Sequence, residues 1–481
     1  MPSSSSQPQS STTLVVIGAG PGGYAAAFRA ADLGLDVTLV DTEPNPGGVC
    51  LYRGCIPSKA LLHVAKLIGE AKHAADWGIS YPEPTIDLDK LRAFKDKVVK
   101  KLTGGLGQLS KQRKVTYIQG RASFVDAKTL DIELSDGGSQ QLGFEHAIVA
   151  TGSRPASVPS LSLDSDKVLD STSALDLPDV PKTLLVVGGG YIGLELGSVY
   201  AALGSKVTVV EMTAGLLPGA DRDLVTFLAR QLEQTMHRIL LEARVTEMRD
   251  DKKGVRVTIE GAGLKKEERE QVFDRVLVSV GRKPNSAIPG LDATRVRVGD
   301  KGFIDVDAAR RTAEPSIYAI GDVVGEPMLA HKATAEARVA VEAIAGHKAA
   351  FEPQAIPAVV FTDPEVAWCG LTETEAKAQG REVEIAKFPW AALGRALAID
   401  RPEGVTKLVI DPATERILGV GIVGAGAGEL IAEGVLAVEM AALATDLKLS
   451  IHPHPTLSET LMEAAEVFFG HSVHVHRPKR K

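Results

Sequence analysis

The chain has 481 residues, 44% of them hydrophobic and 24% charged, with a formal net charge of −7. That length asks for about three domains. The acidic balance argues against a nucleic-acid partner, and no apolar run approaches the roughly 18 residues that span a membrane. Residues 1–11 form a Ser/Pro/Gln-rich leader that is expected to be disordered. The leader has no apolar signal core, and no arginine precedes Arg29, so the expected location is cytoplasmic. Three cysteines are too few for a structural disulfide framework. In a cytoplasmic protein, a pair among them reads as redox-active.

Residues 13–17 (TLVVI) predict a short buried strand. The turn GAGPGG follows, then a helix over 24–33 and a second strand, DVTLV, ending in Asp41. Gly18, Gly20 and Gly23 have the G-x-G-x-x-G spacing. The first glycine makes a tight turn, the second lets backbone approach a pyrophosphate, and the third lets helix pack on strand. The phosphates then meet the orphan N–H groups of a helix N-terminus. The plan recurs at 184–211 with Gly188, Gly190, Gly193 and a terminal Glu211. In each copy 23 residues separate the first glycine from the acid. One such motif is weak; two complete copies predict two Rossmann-like dinucleotide-binding domains in an α/β chain.

The closing carboxylates select the nucleotide. A carboxylate there accepts hydrogen bonds from a ribose diol and repels a 2′-phosphate. Two unit charges about 4 Å apart at an effective dielectric of about 20 interact by roughly 4 kcal/mol, and a third of that is about a tenfold preference. No arginine follows Glu211 until Arg222, so the second unit reads as NAD- rather than NADP-binding. The first unit is followed by a long helical insertion, HAIVATGSRP and SIYAIGD, which offer the further contacts that an extended FAD needs. Thr151, Gly152 and Asp322 are the expected extra contacts. Asp322 could equally cap the helix expected near Leu329.

Directly after the first unit comes GGVCLYRGCIPSK. Cys50 and Cys55 are five residues apart, which is about 7.5 Å of rise along a straight helix. A disulfide holds its Cα atoms within about 6.8 Å, so this segment must bend for the two to pair. A five-residue bridge gains little loop entropy and is a poor staple. Near the C-terminus, HPHPTLSE places His454 five residues before Glu459. Thiol chemistry needs a base, and the glutamate can orient the ring and raise its basicity. Cys369, in the strand-like EVAWCGL, reads as a small buried hydrophobe. From about 351 the pattern turns to apolar strands (VTKLVI, ILGVGIVG) and amphipathic helices, and HSVHVHRPKRK reads as a solvated basic tail.

GGVCLYRGCIPSK, the two glycine motifs, VGRKPN at 280–285, SIYAIGD and HPHPTLSE occur in family order. From about residue 12 to 468 the chain resembles the class I pyridine nucleotide–disulfide oxidoreductases. The resemblance implies two Rossmann-like domains and a C-terminal α+β dimerisation domain. It implies an FAD domain over 12–155 and 281–350, an NAD domain over 156–280, an interface domain over 351–470 and a tail over 471–481. It implies a redox disulfide between Cys50 and Cys55, with His454 and Glu459 as its base pair and a less certain role for His452. One non-covalent FAD per subunit would be held by Gly18, Gly20, Gly23, Asp41, Lys59, Gly120, Thr151, Gly152, Ser153, Asp322, Met328, Leu329, Ala330 and His331. NAD would meet Gly188, Gly190, Gly193, Glu195, Glu211, Val245 and Gly281. Glu195 matches the residue beside the nicotinamide, and Lys59 the one near the flavin's reactive nitrogen.

Within the class, CIPSK, Glu211 and HPHPTLSE together imply the NAD-linked branch that oxidises dihydrolipoamide. Its partners would be a second copy of the chain and the lipoyl-bearing acyltransferase of a 2-oxo acid dehydrogenase complex, with the glycine-cleavage lipoyl protein as a further candidate. The chain departs from the usual pattern at Asp41, where glutamate is commoner, and at LYR between the cysteines, which could alter entry to the pair. Two alternatives stay open: a reductase of another disulfide, and a non-catalytic dinucleotide-binding scaffold.

Overall fold

In the computed structural model, residues 10–476 are described, and they divide into two compact units. Met1–Ala60, Asp87–Ala156 and Gly281–Glu352 form the first; Leu61–Ile86, Ser157–Val280 and Pro353–Lys481 form the second. Residues 61–86 thus leave the segment to which the motifs assigned them. The 157–280 and 353–470 segments both fall in the second unit. Among the described residues, no helix is long and apolar enough to cross a membrane.

In the first unit, the Ser10–Ile17 strand pairs in parallel with Val37–Asp41 on one side and Ser139–Val149 on the other. Ile317–Ala319 adds a further parallel strand beside Ser139–Val149. Leu14, Val15 and Val16 are fully buried, the pattern of a strand covered on both faces, and hence a continuous apolar run. The Pro21–Asp32 helix opens with proline in its first turn, where a missing N–H costs nothing. Its buried face is Gly22, Gly23, Ala26, Ala27 and Ala30, small enough for close approach to the Ala330–Ile344 helix. A Cβ on Gly22 would stand 3.1 Å from that of Ala333.

The leader expectation needs correction at its inner end. Ser10 and Ser11 belong to the first strand and pair with Leu142 and Gly143, because Ser139–Val149 is long enough to continue the ladder. Residues 1–9 lie outside the described residues.

The second unit holds a parallel sheet in the order Arg238–Leu240, Lys206–Val210, Thr183–Val187, Arg275–Val278, Val168–Leu169. A three-stranded antiparallel sheet follows it. Residues beyond 357 build a five-stranded antiparallel sheet in the order Ala358–Val360, Glu365–Gly370, Ile417–Gly424, Val405–Ile410, Glu384–Pro389. Every residue of Val405–Ile410 and Ile417–Gly424 is buried, so these strands read as unbroken runs. The Ala427–Glu439 and Glu459–Phe469 helices join that sheet in one core. The Arg222–Thr235 helix also packs on it, with Leu224 against Gly421.

Candidate active site

The two glycine turns are built alike. A Cβ on Gly23 would collide with the Gly18 carbonyl, and one on Gly193 with that of Gly188, so only glycine lets each helix sit so near its strand. The second glycines face open space: Gly20 meets only the Gly48 Cα at 4.0 Å, and Gly190 meets nothing within 4 Å. Neither following helix has a side-chain cap, so its first N–H groups stay available to an anion. A pyrophosphate fits both cradles.

The closing acids are equivalent too. Asp41 accepts the Ala19 N–H at 2.5 Å and the Glu43 N–H at 2.9 Å. Glu211 accepts the Gly189 N–H at 2.7 Å, and the Thr213 N–H and hydroxyl at 2.8 Å each. Each carboxylate is aimed across the mouth of its turn and keeps lone pairs for a ribose diol. Burial raises the Asp41 carboxyl, opposed by the amides of Ala19 and Thr42 and by Arg53. Arg222, the nearest arginine in sequence after Glu211, makes four hydrogen bonds to the carbonyls of Leu216, Leu217 and Ala220. Its guanidinium is engaged in holding that loop.

The cysteine segment bends where the spacing requires. One short helix, Gly48–Arg53, ends at Gly54 and a long one, Cys55–His73, begins at Cys55. Both cysteines are thiols; Cys50 is partly buried and Cys55 exposed. The Cys50 thiol is pushed up by its hydrogen bond with Cys55 and by burial, with Lys59 pulling the other way. Lys59 lies one helical turn after Cys55 on the same face, and its ammonium reaches the Ser58 hydroxyl at 3.3 Å. Of the unusual LYR, Leu51 is buried, Tyr52 donates to the Asn45 carbonyl and Arg53 pairs with Glu43. All three are engaged within their own unit.

Motif reading gave no role to Gly47 and Gly48. The Gly47 N–H donates to the Ala19 carbonyl at 2.8 Å, and a Cβ on Gly48 would collide with the Gly20 Cα. This seats the cysteine helix directly on the first dinucleotide turn. Their place in GGVC was the available signal.

Asp322 does not cap a helix. Its carboxylate accepts the Ser153 hydroxyl at 2.5 Å, and Leu329 occupies the N-cap of the Ala330–Ile344 helix without a side-chain cap. Arg282 donates to the Ser153 hydroxyl and carbonyl at 2.7 and 2.8 Å. Asn285 and Thr151 exchange two hydrogen bonds, and the Asn285 N–H meets the Gly152 carbonyl. Behind them buried Lys332 and Glu336, with the partly buried Arg310, hold the 321–325 turn: Glu336 accepts the Gly321 N–H at 2.6 Å, and Lys332 donates to the Gly325 carbonyl. Arg282, Asn285 and this charged group escaped the sequence reading. VGRKPN signalled the first two, while the group joins residues up to 26 apart by chain folding.

The remaining expected residues are placed as follows. Gly120 lies in the Thr116–Asp126 strand, where a side chain would strike the Glu133 carbonyl, so pairing alone explains the glycine. Val245 is 7% exposed and packs in a core cluster beside a strand irregularity, so its side chain is not offered to a ligand. The Gly281 carbonyl accepts the Ala156 N–H. Met328, Leu329, Ala330 and His331 line the start of their helix. Glu195 is 3% exposed and accepts the Phe361 N–H at 3.0 Å. Cys369 is 2% exposed and burial pushes its thiol up to about 12, which makes it inert.

In the second unit, His454 Nδ1 lies 2.9 Å from Glu459 Oε1, and Glu459 also accepts the Thr456 N–H at 2.8 Å. Burial opposes the charged form of Glu459, yet the Thr456 amide and His454 hold its carboxyl below the usual range. The His454 side chain is 75% exposed, leaving the Nε2 edge open to an incoming molecule. His452 is bound otherwise, to Glu433 at 2.8 Å and the Ser450 carbonyl at 3.0 Å. The described part of the tail is largely exposed, as expected of a solvated tail, with a few side chains bonded to the body of the unit. His474 and Ser472 both bond the buried Glu463, and His471 meets Lys448. Residues 477–481 lie outside the described residues.

The cysteine pair therefore belongs to the first unit and the His454–Glu459 pair to the second. Residues 12–337 match the family described as pyridine nucleotide-disulphide oxidoreductase, and 356–465 match its dimerisation domain. The dihydrolipoyl dehydrogenase of Haemophilus influenzae is 50% identical over 470 residues, covering 98% of each chain. That of Geobacillus stearothermophilus is 46% identical, covering 96% of this chain and 97% of its own. Among solved structures, LpdA of Mycobacterium tuberculosis superposes with a TM-score of 0.87 at 27% identity, covering 94% of this chain and 99% of that one. The flavoprotein disulfide reductase RclA of Escherichia coli gives 0.84, also at 27%, covering 95% and 99%.

Proposed function

The chain belongs to the pyridine nucleotide–disulphide oxidoreductase family, and from that premise we propose that it oxidises protein-bound dihydrolipoyl groups to lipoyl groups and reduces NAD. The observation that carries this reading is that one chain holds both two thiols seated on its first dinucleotide turn and, separately, a carboxylate-held histidine. A scaffold that only binds dinucleotides needs neither. Relatives named dihydrolipoyl dehydrogenase, aligned over nearly the whole chain, support this substrate over another disulfide.

Gly18, Gly20, Gly23, Asp41, Lys59, the Thr151–Ser153 turn and Asp322 would hold FAD; Gly188, Gly190, Gly193 and Glu211 would hold NAD. When bound, FAD carries two electrons from the thiol pair to NAD. His454, its Nδ1 held by Glu459, takes a thiol proton from the substrate at Nε2. The substrate sulfur attacks Cys50, forming a mixed disulfide and breaking the Cys50–Cys55 bond, so the charge passes to Cys55. The second substrate thiol then displaces Cys50, releasing the lipoyl disulfide and leaving the pair reduced. The proton of that second thiol passes to the departing Cys50 sulfur, whose thiol is pushed up and so stays protonated in the reduced pair. Cys55 and Lys59, on one helix face, would be the groups beside the flavin.

Turnover of dihydrolipoamide is expected to favour NAD over NADP by at least about tenfold in kcat/KM, from the Glu211 charge. The check is an absorbance assay of the pure protein with each nucleotide, with glutathione as a second disulfide pair. Equal rates with both nucleotides, or faster turnover of glutathione, would defeat the reading.

The matched dimerisation domain supports a homodimer, in which the His454 of one subunit serves the cysteines of the other. Mixed dimers of inactive Cys50→Ser and His454→Gln chains would then hold one intact site. They should regain about half the wild-type rate per heterodimer. Differently tagged chains establish the exchange; purified heterodimers without turnover would contradict the shared site. The physiological partner would be a lipoyl-bearing acyltransferase of a 2-oxo acid dehydrogenase complex, in the cytoplasm.

A further inference from the structure

The second unit encloses one lysine almost completely. Lys407, on the Val405–Ile410 strand, is 1% exposed. Its ammonium meets Asp221 at 2.6 Å, Asp223 at 2.8 Å and Glu373 at 3.4 Å. Lys387, on the neighbouring Glu384–Pro389 strand, reaches Asp223 at 2.7 Å. The three carboxylates are close enough to hold a metal ion, but the lysine already bonds all of them, so the group is a closed ion network. None of the steps above uses it.

Asp221 reaches further. It also accepts the N–H groups of Glu373 and Thr374 at 3.0 Å and the Thr374 hydroxyl at 2.7 Å, all at the start of the Glu373–Ala378 helix. Burial works against its charge, yet Lys407 and Thr374 bring its carboxyl down to about 2, so the link stays ionic at neutral pH. One residue on, Arg222 clasps the carbonyls of Leu216, Leu217 and Ala220. The Leu217 N–H in turn donates to the Gly189 carbonyl at 3.0 Å, and Thr213 holds Glu211. The Leu216 side chain stands 2.7 Å from where a Gly189 Cβ would be. The loop between Glu211 and Asp221 is thus tied at one end to the second glycine turn and at the other to a buried lysine of the C-terminal sheet.

We propose that Lys407, acting through Asp221 and Arg222, is a positioning residue for the second dinucleotide site: it fixes the 212–221 loop against Gly189 and keeps Glu211 aimed at the ribose. This rests on the reading of that turn as the NAD site. A loop without its own ladder of hydrogen bonds gains a single conformation only from such ties.

Calorimetric titration of the FAD-loaded enzyme with ADP-ribose reads the site directly, because this probe carries the pyrophosphate and both riboses but no nicotinamide. Arg222→Met opens the clasp without touching the buried ions. Lys407→Met combined with Asp221→Asn removes the tie without stranding the Asp221 charge. Each is expected to weaken ADP-ribose binding about fivefold and raise the KM for NAD similarly, leaving the KM for dihydrolipoamide unchanged. Wild-type affinity in Arg222→Met overturns the proposal, even where the double variant does not fold. A parallel rise in both KM values also overturns it, since that marks a general structural effect. A wild-type enzyme that binds no ADP-ribose removes the NAD reading itself, and with it this inference; the unmutated control separates that failure from failure of the anchor.

Discussion

Cys55→Ser is expected to lower dihydrolipoamide-dependent turnover by at least about 10⁴-fold, the scale on which removal of a covalent nucleophile acts. Without the second sulfur no disulfide can be attacked, and the electron pair has no route out of the substrate. FAD should stay bound, because most of the residues proposed to hold it are elsewhere: the Gly18–Gly23 turn, Asp41, and the Ser153–Asp322 bond at 2.5 Å. The flavin-to-protein absorbance ratio checks retention, and a steady-state assay checks turnover. Cys369→Ala is the control: its thiol is buried and pushed up to about 12, so the variant should keep wild-type activity. A Cys55→Ser enzyme with normal turnover would remove the pair from the reaction altogether.

His454→Gln is expected to cost about 10²- to 10⁴-fold in kcat/KM for dihydrolipoamide, the range of a lost general base. The side chain is held at Nδ1 by Glu459 and open at Nε2, so glutamine keeps much of the shape and loses only the proton acceptor. The loss should be smallest at high pH, where the substrate thiol ionises by itself. The acid limb of the profile should therefore move toward the ordinary thiol range, about 8.5 for a cysteine. Glu459→Gln should produce a smaller loss with the same sign, because Glu459 remains ionised well below neutral pH and only orients and polarises the ring. An unchanged pH profile in His454→Gln would assign the base elsewhere.

What the linear sequence determined is whatever recurs over a short span. Gly18, Gly20, Gly23 and Asp41, with their copies Gly188, Gly190, Gly193 and Glu211, were legible because each unit makes its own strand, turn and helix within about thirty residues. The bend between Cys50 and Cys55 followed from helix rise and disulfide reach, and Gly54 supplies it. The His454–Glu459 pair spans five residues and needed no tertiary knowledge. Residues whose partners lie far along the chain were not legible. Ser153 meets Asp322 across 169 positions and Lys407 meets Asp221 across 186; a spacing rule has nothing to say about either. The bonds that the exposed tail makes have the same origin: Glu463 on the preceding helix is 3% exposed and offers Ser472 and His474 a carboxylate. The contact between the 156–280 and 351–470 segments was likewise decided by packing. Leu224 fills the space beside Gly421, and a buried lysine closes the same contact, because a charge taken out of water has to find its counter-charges wherever the fold brings them.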